Sequence, residues 1–197
     1  MPRRSQHDRS ASTRAALVAA GRDLFARHGY EHVSAEQIVV AAGMSRGALY
    51  HHHRDKRDLF RAVVEHLEAE VTAELTAVVD ASPDSRSAML AALAGYLDIC
   101  RRPDVARILL NDAPAVLGWQ AWRDIETRHG LGLVTRLLES AVDDRPTGVA
   151  VPVLAQLVLS VVLEAALLVA HSDDPDATRA RAEHALLALL SGLLPRD

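Results

Sequence analysis

The side chains between Ser45 and Lys56 are of kinds that read and grip a polyanion. Arg46 carries a planar fork of donors that matches O6 and N7 of guanine in the major groove of DNA. Gly47 and Ala48 are small, so the backbone that carries them can come close to base edges. Tyr50, His51 and Lys56 offer donors for phosphate oxygens. Ser34 and Ser45 are of the type that caps a helix start, where the first backbone N–H groups form an anion site. Together these residues point to contact with double-stranded DNA.

Two other chemistries can be read in the same stretch. Gly43-Met44-Ser45-Arg46-Gly47 matches G-x-S-x-G, the nucleophile elbow of serine hydrolases. That elbow requires a strand before the serine and a parallel sheet around it, and no strand pattern is found anywhere in the chain. Helix capping accounts for Ser45 without it, so no enzyme activity is expected. His51-His52-His53 suggests a metal site, but neighbouring residues on a helix point about 100° apart and cannot share one ion. His28 and His32 have a better spacing, but Gly29 ends the helix between them, and no cysteine or carboxylate joins them. No metal and no cofactor is expected.

The elements that must position these residues are two short helices. Ser34 and Gln37 form a capping-box pair, and Val33 and Ile38 stand at the two ends of a hydrophobic staple. Gly43 can take the left-handed conformation that ends the first helix, and Ser45 starts the second. Ile38, Ala42, Met44 and Leu49 then pack the helices together, leaving Arg46, Gly47, Tyr50 and His51 outward.

On LVAAGRDLFARHGYEHVSAEQI and AAGMSRGALYHHHRDKRDLF the chain resembles the TetR-type transcription regulators, over roughly its first third. The carrying motif is a small residue-Gly-apolar-Ser, then Gly-x-Leu-Tyr-His, then a lysine. Two residues depart from the pattern. His53 stands where the family usually has Phe, and Val39 where a small residue is usual. The resemblance implies a helix-turn-helix, a long helix that carries an allosteric signal, and a last helix pair that joins its symmetry mate in a four-helix bundle.

Composition fits that division. Residues 1–66 hold 11 Lys+Arg against 7 Asp+Glu, and residues 67–197 hold 11 against 19. A basic module on an acidic body is the asymmetry expected when one end alone meets phosphate. The single Cys100 excludes an internal disulfide framework and fits a reducing cytoplasm. Arginine outnumbers lysine 21 to 1, which reads as genomic bias.

Along the chain, residues 1–9 read as a flexible basic arm in which Arg3, Arg4 and Arg9 either reach a minor groove or are a solvated tail. A first helix starts near Ser10 or Ser12 and stops at Gly29. Asp55 caps a long amphipathic helix, with Leu59, Phe60, Val63, Val64, Leu67, Val71, Leu75 and Val78 on its apolar stripe. Ser82-Pro83 starts the next helix, and Arg102-Pro103 ends it. A break is expected at residues 111–114, a kink near Gly130 and Gly132, and a loop over residues 143–148. Val149 to Ala170 is long and apolar enough to span a bilayer. Glu164 within it is costly in lipid, so a helix buried on all sides is expected, and no membrane. Asp174-Pro175 starts the last helix.

The fold class is therefore all-α: a helix-turn-helix module over residues 10–66, and a helical effector-binding and dimerisation body over residues 67–197. Met89, Tyr96, Cys100, Trp119, Trp122 and Glu164 are candidates for an effector pocket, with core packing or an interface pair for Glu164 as the alternative. Leu157, Val161, Leu168, Leu186, Leu189, Leu190 and Leu193 are candidates for a dimer interface. The expected partners are DNA, a second copy of the chain and a small apolar or aromatic effector. The function expected is repression relieved by ligand, with activation or a ligand-free regulator open as alternatives.

Overall fold

The computed structural model describes residues 6–142 and 150–190. Among the described residues every regular element is helical. The helices are α1 (Gln6–His28), α2 (Ala35–Ala41), α3 (Arg46–His52), α4 (Lys56–Asp80), α5 (Ser85–Ile99), α6 (Pro103–Val105), α7 (Ala113–Leu117), α8 (Trp119–Val142), α9 (Val151–Ala170) and α10 (Pro175–Leu190). A π-helical segment, Ala106–Asp112, joins α6 to α7.

The chain forms two compact units, and α4 is continuous through both. The first comprises the residues up to Leu67 together with Pro103–Trp119. Leu17, Phe25, Ile38, Leu49, Leu59 and Phe60 are wholly buried in it. Phe25 meets Phe60 edge to face at 5.1 Å, and Tyr30 meets Phe60 at 4.9 Å. Gly21 lets α1 lie close on α4, since a Cβ there would stand 3.3 Å from Val63 Cγ2. Sequence patterning assigned residues 103–119 to the body. Three links tie them to the first unit instead. Arg22 donates to Asp104 at 2.7 Å, the Tyr30 N–H to Asp112 at 2.8 Å, and Arg57 to the carbonyls of Val116 and Leu117 at 3.0 and 3.1 Å.

The second unit comprises Glu68–Arg102 and the residues from Gln120 onward. Its core is layered. Met89, Leu138, Ala141 and Ala155 form one cluster, and Leu93, Leu97, Ala165 and Leu186 another. Arg179 of α10 grips Asp98 of α5 through Nε and Nη2 at 2.6 and 3.2 Å, a bidentate pairing that fixes both planes.

Several boundaries differ from the sequence reading. α1 begins at Gln6, inside the stretch expected to be a flexible arm; Arg3 and Arg4 lie outside the described residues. α5 is capped by Asp84, whose carboxylate accepts from Ser87 N at 2.8 Å, and not by Ser82. No break occurs at 111–114, because the π turn carries the helical path through to Gly118. Gly118, at φ 82°, makes the break that was expected elsewhere, and α8 runs through Gly130 and Gly132. The loop expected at 143–148 lies outside the described residues. α9 is not buried on all sides, since Val153, Leu157, Val161 and Leu168 are exposed along one stripe of it.

Candidate nucleic-acid interface and internal cavity

Local hydrogen bonds build the DNA-facing surface. Ser34 Oγ accepts from Gln37 N at 3.2 Å while Gln37 Oε1 accepts from Ser34 N at 2.7 Å, the reciprocal capping box. Val33 and Ile38 are buried beside it. Gly43 ends α2 at φ 64°, a backbone conformation that favours glycine. Ser45 Oγ then accepts from Ala48 N at 3.2 Å and starts α3. Ser45 is thus a helix cap that follows a helix, and the strand a nucleophile elbow needs is missing at α2.

α3 buries Leu49 and exposes Arg46, Gly47 and Tyr50, with His51 also outward and Ala48 half-buried. The Arg46 guanidinium stands 5.7 Å from the centre of the Tyr50 ring, one turn away on the same face. Nothing lies within 4 Å of a Cβ built on Gly47 except Ser45 Oγ at 3.8 Å, so the helix surface there is open to an incoming backbone.

Lys56 has a task that its spacing did not reveal. Its ammonium donates to the carbonyls of Tyr30 and Val33 at 2.9 and 3.0 Å and lies 3.8 Å from the centre of the Tyr30 ring. Two of its three donors are therefore turned inward, onto the turn between α1 and α2. These contacts give Lys56 a structural role that the sequence reading, which expected a phosphate contact, did not include.

His53 closes α3 and is buried. Neither ring nitrogen has a hydrogen-bond partner, and Asp58 Oδ2 stands 3.7 Å from Nδ1, beyond bonding range. Burial, with Arg14 adding to it, pushes its pKa down, while Asp58 pushes the other way, so the ring is held neutral. Val39 is also buried, so the volume it adds is packed and not exposed. Among the described residues no three His, Cys, Asp or Glu side chains converge on a metal-sized site.

The second unit encloses a cavity of about 100 Å³ between α4, α5, α8, α9 and α10. Of the pocket candidates, Met89 and Tyr96 line it. The others do not. Trp122 is core, Cys100 is buried behind Tyr96, and Trp119 belongs to the first unit and is 59% exposed. Glu164 is exposed on α9, within the apolar stripe. Burial pushes the Cys100 thiol up to about 12, far from a reactive thiolate.

Two carboxylates in the cavity wall were not anticipated: Glu68 of α4 and Glu126 of α8. Both are buried. Burial, reinforced by Glu126, pushes Glu68 up to about 8. Burial pushes Glu126 up to about 7 against the pull of Arg123, which ion-pairs with its Oε2. The other oxygen of Glu126, Oε1, is buried with no partner. Each sits among apolar neighbours at helical spacing, which is why periodicity passed over them.

The dimer candidates divide. Leu157, Val161, Leu168 and Leu189 are exposed, the last at 67%. Leu186 and Leu190, by contrast, are buried within the chain's own core. Leu186 packs on Leu93, Leu97 and Ala165, and Leu190 lines the cavity. Leu193 lies outside the described residues.

Comparison with known proteins agrees with this arrangement. A family model described as "Bacterial regulatory proteins, tetR family" matches residues 17–63, and one for the "Tetracyclin repressor-like, C-terminal domain" matches residues 86–193. A crystal structure of a TetR-family transcriptional regulator from Pectobacterium atrosepticum is 34% identical, over 98% of this chain and 100% of that one, with a TM-score of 0.85. The chain belongs to the TetR family. Among curated relatives, the HTH-type transcriptional repressor Rv1474c of Mycobacterium tuberculosis is 36% identical over 60% of this chain and 62% of its own length. The repressor AcnR of Corynebacterium glutamicum is 33% identical over 53% of this chain and 50% of its length. The chain thus spans half to three fifths of these two relatives. FadR of Bacillus subtilis, solved with stearoyl-CoA, is 14% identical over 90% of this chain and 98% of that one at a TM-score of 0.72, and shares the fold.

Proposed function

We propose that this TetR-family chain is a homodimeric transcriptional repressor that binds an inverted-repeat operator and is released from it by a small-molecule effector. One observation carries the reading: Arg46, Gly47 and Tyr50 stand free on a capped helix whose opposite face is locked by Leu49. The backbone N–H groups behind Ser34 and Ser45 and the outward His51 supply phosphate contacts around that helix. The curated relatives named as repressors support repression as the sign of regulation.

A second copy of the chain would cover the stripe of Val153, Leu157, Val161 and Leu168 on α9, with Leu189 on α10. α9 is long and apolar enough to cross a membrane, and Glu164 on the same exposed stripe opposes that use. A two-fold pair presents two copies of α3, hence a palindromic operator in the cytoplasm. The cavity of the second unit receives the effector. Since α4 is continuous between the units, ligand and DNA bias one equilibrium, and the coupling is reciprocal.

The test is a gel shift of the purified chain on DNA upstream of its own gene, with unrelated DNA as competitor and salt varied. A specific, salt-sensitive shift supports the repressor. No shift at any salt removes the helix-turn-helix as a DNA reader.

A further inference from the structure

The cavity of the second unit is apolar save for four lining side chains, Glu68, Thr72, Tyr96 and Glu126. Hydrocarbon walls select a compact apolar body. The polar groups set the sign of its charge. A carboxylate ligand would meet two carboxyls and no cation among the lining residues. The Arg123 guanidinium is already engaged with Glu126 Oε2 and, at 3.0 Å, with Ser160 Oγ. Glu126 Oε1 has no partner within the chain, and an unsatisfied buried acceptor of this kind costs free energy until a donor reaches it. Glu68 lines the same cavity from α4, and Arg123, the ion-pair partner of Glu126 Oε2, is not among the lining residues.

We propose that the effector is a small organic cation, a protonated amine or quaternary ammonium on a compact hydrocarbon body, with Glu126 and Glu68 as its counter-ions. This deepens the effector-released reading above and rests on the second unit being the effector domain. The groups facing the pair are Arg123 on α8, Tyr96 on α5 and Cys100 at its C-terminal cap, with Arg102 beyond Cys100. α9 and α10 add only apolar lining. With no ligand, burial raises Glu68 to about 8 and Glu126 to about 7, so protons are held at pH 6 and given up as pH rises to 8. A cation favours their ionised forms, so binding releases a proton and tightens as pH rises from 6 to 8.

The experiment is calorimetric titration of the full chain, free of DNA, with three matched probes: benzylamine, benzyl alcohol and phenylacetate. The amine should bind about tenfold or more tighter than the alcohol, as a charge-assisted hydrogen bond implies, and phenylacetate should not bind. Affinity for the amine should rise with pH, and that for the alcohol should not. Glu126→Gln should abolish the preference for the amine while sparing the alcohol. Glu68→Gln, read the same way, serves if the first variant fails to fold by circular dichroism. Alcohol or phenylacetate binding as tightly as the amine overturns the proposal, as does a preference unchanged in the variants, or no binding by any of the three. DNA is absent, so failure here leaves the operator reading intact. Tight amine binding that never shifts an operator complex would instead overturn the effector reading.

Discussion

The ammonium of Lys56 lies 2.9 Å from the carbonyl oxygen of Tyr30 and 3.8 Å from the centre of the same residue's ring. One cation thus holds both the backbone and the side chain of the turn that delivers α2 to its place. Lys56→Met should lower stability by about 1–3 kcal/mol, the worth of charge-assisted bonds to carbonyls. A melting curve checks this, at about 2–4 °C per kcal/mol for a chain of this size. The salt dependence of DNA binding should keep its slope. A slope lower by about one unit, with melting unchanged, would return Lys56 to a phosphate.

Arg46 is exposed and tethered only by its approach to the Tyr50 ring. Arg46→Ala should leave the melting temperature in place and reduce operator discrimination by about 1–3 kcal/mol. Competition binding on operators with single-base changes reads it. Preference kept at every base would remove Arg46 from base readout.

Leu157 and Leu189 are 58% and 67% exposed, whereas Leu186 is 2% exposed. A glutamate at 157 or 189 should yield folded monomers by light scattering. A glutamate at 186 should instead unfold the body, since it buries an unpaired charge among Leu93, Leu97 and Ala165. A dimer that persists with both outer changes would place the interface elsewhere.

His53 holds two buried ring nitrogens without partners at the place where the family usually has Phe. His53→Phe should stabilise the first unit by about 1–2 kcal/mol, because unsatisfied buried groups are removed. The sign with pH follows from the lowered pKa. The contribution of a histidine kept neutral is present above its unfolded value of about 6.5 and is lost as pH falls through the lower folded value. The variant should therefore lose less stability than the parent on acidification from pH 7 to 5. Equal acid sensitivity would remove His53 from the account.

Glu68 moves the other way. Its folded pKa is raised to about 8, by burial and then by Glu126, with Tyr96 and Cys100 also facing the site. Between its ordinary value and about 8 the folded chain holds a proton that the unfolded chain does not. The associated stability is full below the ordinary carboxylate range and is lost as pH rises through about 8. Ligand-free melting should fall from pH 6 to pH 9, and Glu68→Gln should flatten that fall. Parallel curves for variant and parent would place the charge on another group.

The sequence by itself determined the local chemistry. Capping is a matter of three or four residues, so Ser34 with Gln37, Ser45, Asp55 and Asp174 were legible as helix starts. So were the left-handed glycines Gly29 and Gly43 and the outward face of α3. What required tertiary structure was every decision about which apolar surface meets which. Leu186 and Leu189 share one helix and one residue type, and only the packing of α10 on α5 and α9 buries one and bares the other. Glu68 and Glu126 lie 58 positions apart, and neither looks unusual until folding brings both to one cavity. Lys56 shows the same limit. Its partners, Tyr30 and Val33, lie more than twenty residues away, beyond the reach of any periodicity, so the fold alone turns a surface cation into a clasp.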